Sequence, residues 1–198
     1  MTLQYLLVLD FEATCSPSLP RADMEIIEFP IVVVDLASAS VVAEFHSYVQ
    51  PTLGRLDPFC TQLTGIAQAT VDAAPSFASV WADARAFCAP FVADGLFVTC
   101  GDWDLRTMLP TQLARSGLEP ASEFLRWANI KAAFLAWRGR RVRGMTELLD
   151  ALGLPLVGRH HSGIADARNI AAAAVQMLQG GHEWAPTNFR TRRTRRQK

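Results

Sequence analysis

The apolar positions of this chain gather in dense runs separated by gaps marked with proline, glycine and polar residues. Tyr5 to Leu9 is apolar without a break and ends on Asp10-Phe11-Glu12. A run that is apolar on both faces predicts a strand in the middle of a sheet. Ile26 to Asp35 predicts a second strand, with Pro30 inside it calling for a bulge or an unpaired amide. Val41 to Val49 alternates loosely and predicts a third. The short link Ala37–Ser40 suits a hairpin and hence antiparallel pairing. Leu96 to Cys100 is another buried strand. Phe124–Trp127, with Asn129-Ile130, predicts a short last strand and its approach.

Between these runs the apolar spacing changes to that of helices. Asp57–Leu63 predicts a short helix closed by Thr64-Gly65. Pro75-Ser76 opens a longer one to about Phe91, with Phe77, Val80, Trp81, Ala84 and Phe87-Cys88 on one stripe. A helix begins around Asp102-Trp103-Asp104 and is interrupted or kinked near Pro110. Lys131–Trp137 is helical, Met145–Leu152 is a helix stopped by Gly153, and Ile164–Leu178 is a final helix ended by Gly180-Gly181. A helix lying between two buried strands favours a parallel crossover. The order therefore predicts one α/β domain over residues 1–182. Its mixed five-stranded sheet has strands 1–3 antiparallel and the later strands parallel to strand 1.

Composition adds two things. The 19 basic and 19 acidic residues cancel over 198 positions, but six of the basic residues lie in Arg190–Lys198, leaving residues 1–189 at a formal −6. Residues 183–198 are expected to be a basic, disordered tail. Half of the residues are hydrophobic, enough for a core without disulfides. Cys15, Cys60, Cys88 and Cys100 have no zinc-type spacing. With no signal-peptide pattern and no apolar run of membrane-spanning length, a reduced, cytoplasmic setting is expected.

The candidate chemistry lies where the strands end. Side chains alternate along a strand, so Asp10 and Glu12 point the same way. Strands paired in parallel bring their carboxyl ends to one sheet edge, where ligands of such sheets gather. Asp104, just after Leu96–Cys100, can join them there. Asp166 sits on the first turns of the last helix, with His161 five residues before it. Each has an ordinary reading. Asp102 or Asp104 could be a helix N-cap, Asp166 could complement the helix dipole, and His160 beside His161 reads as a surface histidine. Taken together, converging carboxylates repel unless compensated. Two divalent ions roughly 3.5–4 Å apart would suit in-line displacement at phosphorus, with a histidine taking the proton from water.

The set Asp10-Phe11-Glu12, Asp104 and His161…Asp166 resembles the motifs of the DEDDh (DnaQ-like) 3′-to-5′ exonucleases. The segments Asp10-Phe11-Glu12-Ala13-Thr14-Cys15, Glu25-Ile26-Ile27-Glu28-Phe29-Pro30, Phe59–Ile66, Trp103-Asp104 and His161–Ala171 are most similar to the Eri-type exoribonucleases. The resemblance covers about residues 5–180. It implies an RNase H-like fold. It implies two Mg²⁺ or Mn²⁺ ions on Asp10, Glu12, Asp104 and Asp166, and His161 as general base. It places Glu12, Ala13, Leu63, Thr64, Trp103 and His161 at the terminal nucleotide, and its W-D dipeptide selects Asp104 over Asp102. The implied activity is release of nucleoside 5′-monophosphates from RNA 3′ ends, and 198 residues are expected to hold a stand-alone catalytic domain without the extra nucleic-acid-binding module that such proteins often carry. Single-stranded DNA as substrate, a vestigial nucleic-acid binder and a metal-free hydrolase with paired carboxylates are the competing readings. Arg138, Arg140, Arg141 and Arg143, with Trp137 beside them, offer a backbone grip and a stacking surface, or else a solvated loop. The oligomeric state is left open.

Overall fold

The sheet is built around β3 (Ile26–Asp35), of which all but the last residue are buried. The computed structural model describes residues 2–187. Beside β3 run β1 (Tyr5–Val8), β2 (Glu12–Ala13), β4 (Ser40–Tyr48), β5 (Gly95–Thr99) and β6 (Trp127–Asn129). β1, β2 and β4 are antiparallel to β3, while β1, β5 and β6 are mutually parallel along β1-β5-β6. This is the mixed sheet the sequence predicts, with six strands instead of five.

Both faces are covered, which is why the central strands are apolar throughout. Even-numbered β1 residues Leu6 and Val8, with Val32 and Val34, pack on α5 (Ile130–Arg138), α6 (Met145–Leu152) and α7 (Gly163–Gln179). Odd-numbered Leu7, with Leu9, Phe29, Ile31 and Phe97, packs on α3 (Phe77–Cys88) and α4 (Leu109–Arg115). Two short helices, α1 (Pro58–Thr64) and the unforeseen α2 (Gln68–Asp72), cover one end of β3 through Ile27, Cys60, Ile66 and Val71. The small side chains of Ala167, Ala171 and Ala174 let α7 lie close to the sheet. No helix of the described residues is long and apolar enough to cross a membrane.

The extra strand comes from a break. Val8 pairs with Val32 and Glu12 with Glu28, so β1 and β2 keep one register against β3. The interruption at Leu9–Phe11 therefore falls opposite Pro30. Leu9 gives its N–H to Val98 of β5. Strand alternation then turns the backbone of Asp10 toward Pro30, which has no N–H to offer. The register shifts lie instead at Val33/Val34 on the β4 side and at Glu12/Ala13 in the β2 pairing.

Pro110 also acts one turn earlier than expected. Residues Asp104–Met108 form a π-turn closed by Leu109 N–H on the Asp104 carbonyl. Widening the turn relieves the clash that the proline ring would make in an α-helix. Residues Ser122–Leu125 form a 3₁₀ turn, so the last strand is shorter and later than expected. At the far end Trp184 packs on the core, and Thr187 bonds to Trp127 and Asn129. The folded region thus passes the expected boundary at residue 182, and the rest of the basic tail lies outside the described residues.

Candidate active site

The register kept across the break places Asp10 and Glu12, like Leu6 and Val8, on the α7 side of the sheet. α7 meets them with Asp166 on its first turn, and ligand oxygens of all three lie within 4.8 Å of one another. Asp104 stands beside this group on the π-turn, where its Oδ1 accepts the Phe11 N–H at 3.0 Å. Its side chain therefore bridges to the break between β1 and β2 and is no N-cap. Asp102 accepts the indole N–H of Trp127 at 2.9 Å and faces Arg106, a structural role. Gly163 fits α7 against the break. A Cβ there would stand 2.8 Å from the Asp10 carbonyl oxygen and 3.2 Å from the Glu28 carboxylate.

Burial raises the pKa values of Asp10, Glu12 and Asp104, and neighbouring acids add to it for the first two. Asp10 is pushed well above the usual range by burial and by Asp104, Asp166, Glu12 and Glu28. Glu12 rises to about 9, through burial first and then Glu28, Asp166 and Asp104. Asp104 rises to about 6 through burial, opposed by the Phe11 amide and Lys131. On Asp166, Oδ2 is occupied, while Oδ1 is buried without a hydrogen-bond partner. An orphaned oxygen among hard, crowded carboxylates fits a divalent cation.

The entry to α7 carries the histidines. His161 has φ +66° and gives its backbone N–H to Asp166 Oδ2 at 2.9 Å. His160 Nδ1 meets the same oxygen at 2.9 Å, so it is not the plain surface histidine its sequence position suggests. The two rings stack with centroids 3.9 Å apart. Burial, more than the nearby charges, lowers the His161 pKa and favours the neutral imidazole. Asp10, Cys100, Met145, His160, His161 and Asp166 line a cleft of about 270 Å³.

An exonuclease family model, RNase T, matches residues 7–174. ERI1 exoribonuclease 3 of Homo sapiens is 44% identical over 176 residues, covering 84% of this chain and 51% of that protein. The nuclease domain of 3′hExo, a DEDDh family member bound to rAMP, is 32% identical with a TM-score of 0.86, over 93% of this chain and 96% of that one. This chain is an Eri-type DEDDh exonuclease by family. A structure of 3′-end-specific recognition of histone mRNA stem-loop by 3′-exonuclease aligns with a TM-score of 0.85 at 32% identity, over 92% of this chain and 85% of that one. The chain spans about half the length of the curated ERI1 exoribonuclease 3 it matches.

Against the DEDDh pattern, the expected nucleotide contacts are placed unevenly. Glu12 and His161 are in the acid site. Ala13 is buried in the core. Leu63 is half-buried at the end of α1, its carbonyl facing Arg159. The Thr64 hydroxyl is already engaged on both sides, donating to the Cys60 carbonyl at 2.9 Å and accepting from Ile66 N–H at 3.1 Å. Trp103 is half-buried against the core. Trp137 is no open stacking platform. The Arg138 guanidinium lies 3.6 Å over its ring, Phe134 meets it edge-on, and Gly180 abuts it.

The residue that sequence reading passed over is Glu28, within the quoted Glu25–Pro30 segment. It is 1% exposed, yet its carboxylate accepts Gly163 N–H at 2.9 Å, Ile164 N–H at 3.0 Å and His46 Nε2 at 2.9 Å. It anchors the start of α7, and with it His161 and Asp166, to β3. The one available signal was an acid inside an otherwise apolar strand. Glu28→Ala would leave one buried and one part-buried amide without their acceptor. It is expected to cost about 2 kcal/mol and to slow turnover. Thermal unfolding with and without Mn²⁺ checks this, and an unchanged Tm would contradict the anchoring role.

Proposed function

We propose that this chain is a divalent-metal-dependent 3′-to-5′ exoribonuclease that releases nucleoside 5′-monophosphates. The observation that carries this reading is the meeting of Asp10, Glu12 and Asp166 within 4.8 Å, with one Asp166 oxygen buried and unpaired. Asp10, Glu12, Asp104 and Asp166 would hold two Mg²⁺ or Mn²⁺ ions, which supply activation of water and neutralisation of charge at phosphorus. The neutral His161 imidazole takes the proton from the attacking water. Glu12, on the same side of the sheet as Asp10, would also meet the terminal nucleotide. The His160–Asp166 contact and the amide of His161 fix the acid while leaving its second oxygen free. Relatives named exoribonucleases support RNA as the substrate, and the recognition of a histone mRNA 3′ end by a relative supports the 3′ end as the point of attack.

The test is one panel of single-stranded and duplex RNA and DNA, labelled at either end, with Mg²⁺ or Mn²⁺ and product analysis. Stepwise loss of 5′-monophosphates from RNA 3′ ends, abolished by EDTA, is expected. Retention in EDTA would overturn the metal mechanism, and preference for DNA would overturn the ribonuclease assignment. His161→Ala is expected to slow turnover by about 10²- to 10⁴-fold near neutral pH, while an unchanged rate would remove it as base.

A further inference from the structure

The arginine-rich stretch that begins at the end of α5 lies outside the acid site, and its side chains differ in how they are held. Arg138 lies on Trp137, and Arg143 pairs with Glu147 at 3.0 Å. Arg141 is exposed, and among the described residues no hydrogen bond or ion pair holds it. It stands on the wall of a cleft of about 560 Å³ whose lining includes Asn129, Lys131, Val142 and Arg143, with no acid among the described residues. Lys131 rises from the first turn of α5 and gives one N–H to the Arg143 carbonyl at 3.1 Å, leaving two donors free. The positive end of the α5 dipole adds to the same corner.

This cleft adjoins the acids. Arg143 on its wall is followed directly by Gly144 and Met145, which line the cleft of Asp10 and Asp166. A Cβ on Gly101, three residues before Asp104, would stand 3.8 Å from Lys131 Nζ, and Lys131 is among the charges that draw the Asp104 pKa down. A cationic trough thus continues from the pocket of crowded acids. A polyanion whose end enters that pocket needs opposite charge along the part that stays outside it.

We infer that this trough is a binding site for the phosphodiester backbone of a single-stranded RNA upstream of the scissile linkage, with Lys131 and Arg141 as its phosphate contacts. The inference rests on the exoribonuclease reading and extends it to the part of the strand that is not cleaved. Contacts to backbone without base edges make the grip sequence-tolerant.

The experiment compares kcat/KM for a single-stranded RNA dodecanucleotide with that for a dinucleotide, in Mn²⁺, across roughly 50 to 200 mM salt. A dinucleotide leaves the trough empty, so the ratio isolates it from the acid site. Arg141→Gln is expected to lower the ratio several-fold and to flatten the log–log salt dependence for the long substrate by about 0.7, and the double variant with Lys131→Gln by about 1.4. Arg141→Lys keeps a point charge and is expected to restore most of the ratio. Because Arg141 is exposed, its variants keep the fold, which unfolding curves check. A ratio and salt slope unchanged in Arg141→Gln would overturn the trough while leaving the exoribonuclease reading intact. Failure of the unsubstituted protein to cleave either RNA would overturn that reading itself.

Discussion

Asp10→Asn is expected to lose turnover by about a thousandfold or more while making the metal-free protein more stable at pH 8. The two effects have one cause. Asp10 sits where the sheet opens, with Asp104, Asp166, Glu12 and Glu28 all raising its pKa on top of burial. An amide of the same shape removes a charge that the fold resists and that a bound cation would need. Turnover with Mn²⁺ and unfolding in EDTA measure the two sides separately. The stability gain should shrink as pH falls toward the ordinary value of 3.8, below which the carboxyl holds its proton folded and unfolded alike. A variant within tenfold of normal turnover, or one less stable at pH 8 without metal, would contradict this account of the site.

The second large effect is on pH and metal together. An unfolded Glu12 releases its proton near its ordinary value of 4.5, whereas the folded one keeps it up to about 9. Between those limits the native state binds more protons than the unfolded state, so metal-free stability must fall as pH rises. Asp104, raised to about 6, adds to the lower part of that window. Cation binding must expel these protons. The Tm in EDTA should therefore drop by several degrees from pH 6 to pH 8.5, and Mn²⁺ should raise Tm more at pH 8.5 than at pH 6. Calorimetry in buffers of different ionisation enthalpy should record proton release on Mn²⁺ binding. A flat Tm in EDTA, or binding without proton release, would show that the carboxylates are ionised beforehand.

What could be read from the chain was whatever repeats or accumulates locally. The apolar runs of β1, β3 and β5 and the stripe of α3 carry enough periodicity to be placed, and the acids at their ends follow from strand geometry. β2 has only two residues and no period, so the first strand read as five residues ending at an acid. The widened turn at Asp104–Met108 depends on how Pro110 packs, and only the presence of a disturbance was legible. Glu28 bonds to Gly163 across 135 positions, a distance over which composition carries no signal. His160 was misjudged for the same reason, because its partner depends on the left-handed turn at His161. Trp137 and Arg138 looked like free binding groups and instead satisfy each other, since neighbours in sequence can share a face that the fold then covers.

Pro30 leaves Asp10 without a backbone partner in β3, and that omission sets a conflict between two kinds of perfection. A residue with an N–H there would complete the rung and zip β1 and β2 into one continuous strand. The sheet would gain cohesion, and the Asp10 backbone would be held flat in it rather than yielding toward Gly163 and the start of α7. Robustness and reactivity thus compete at a single peptide unit.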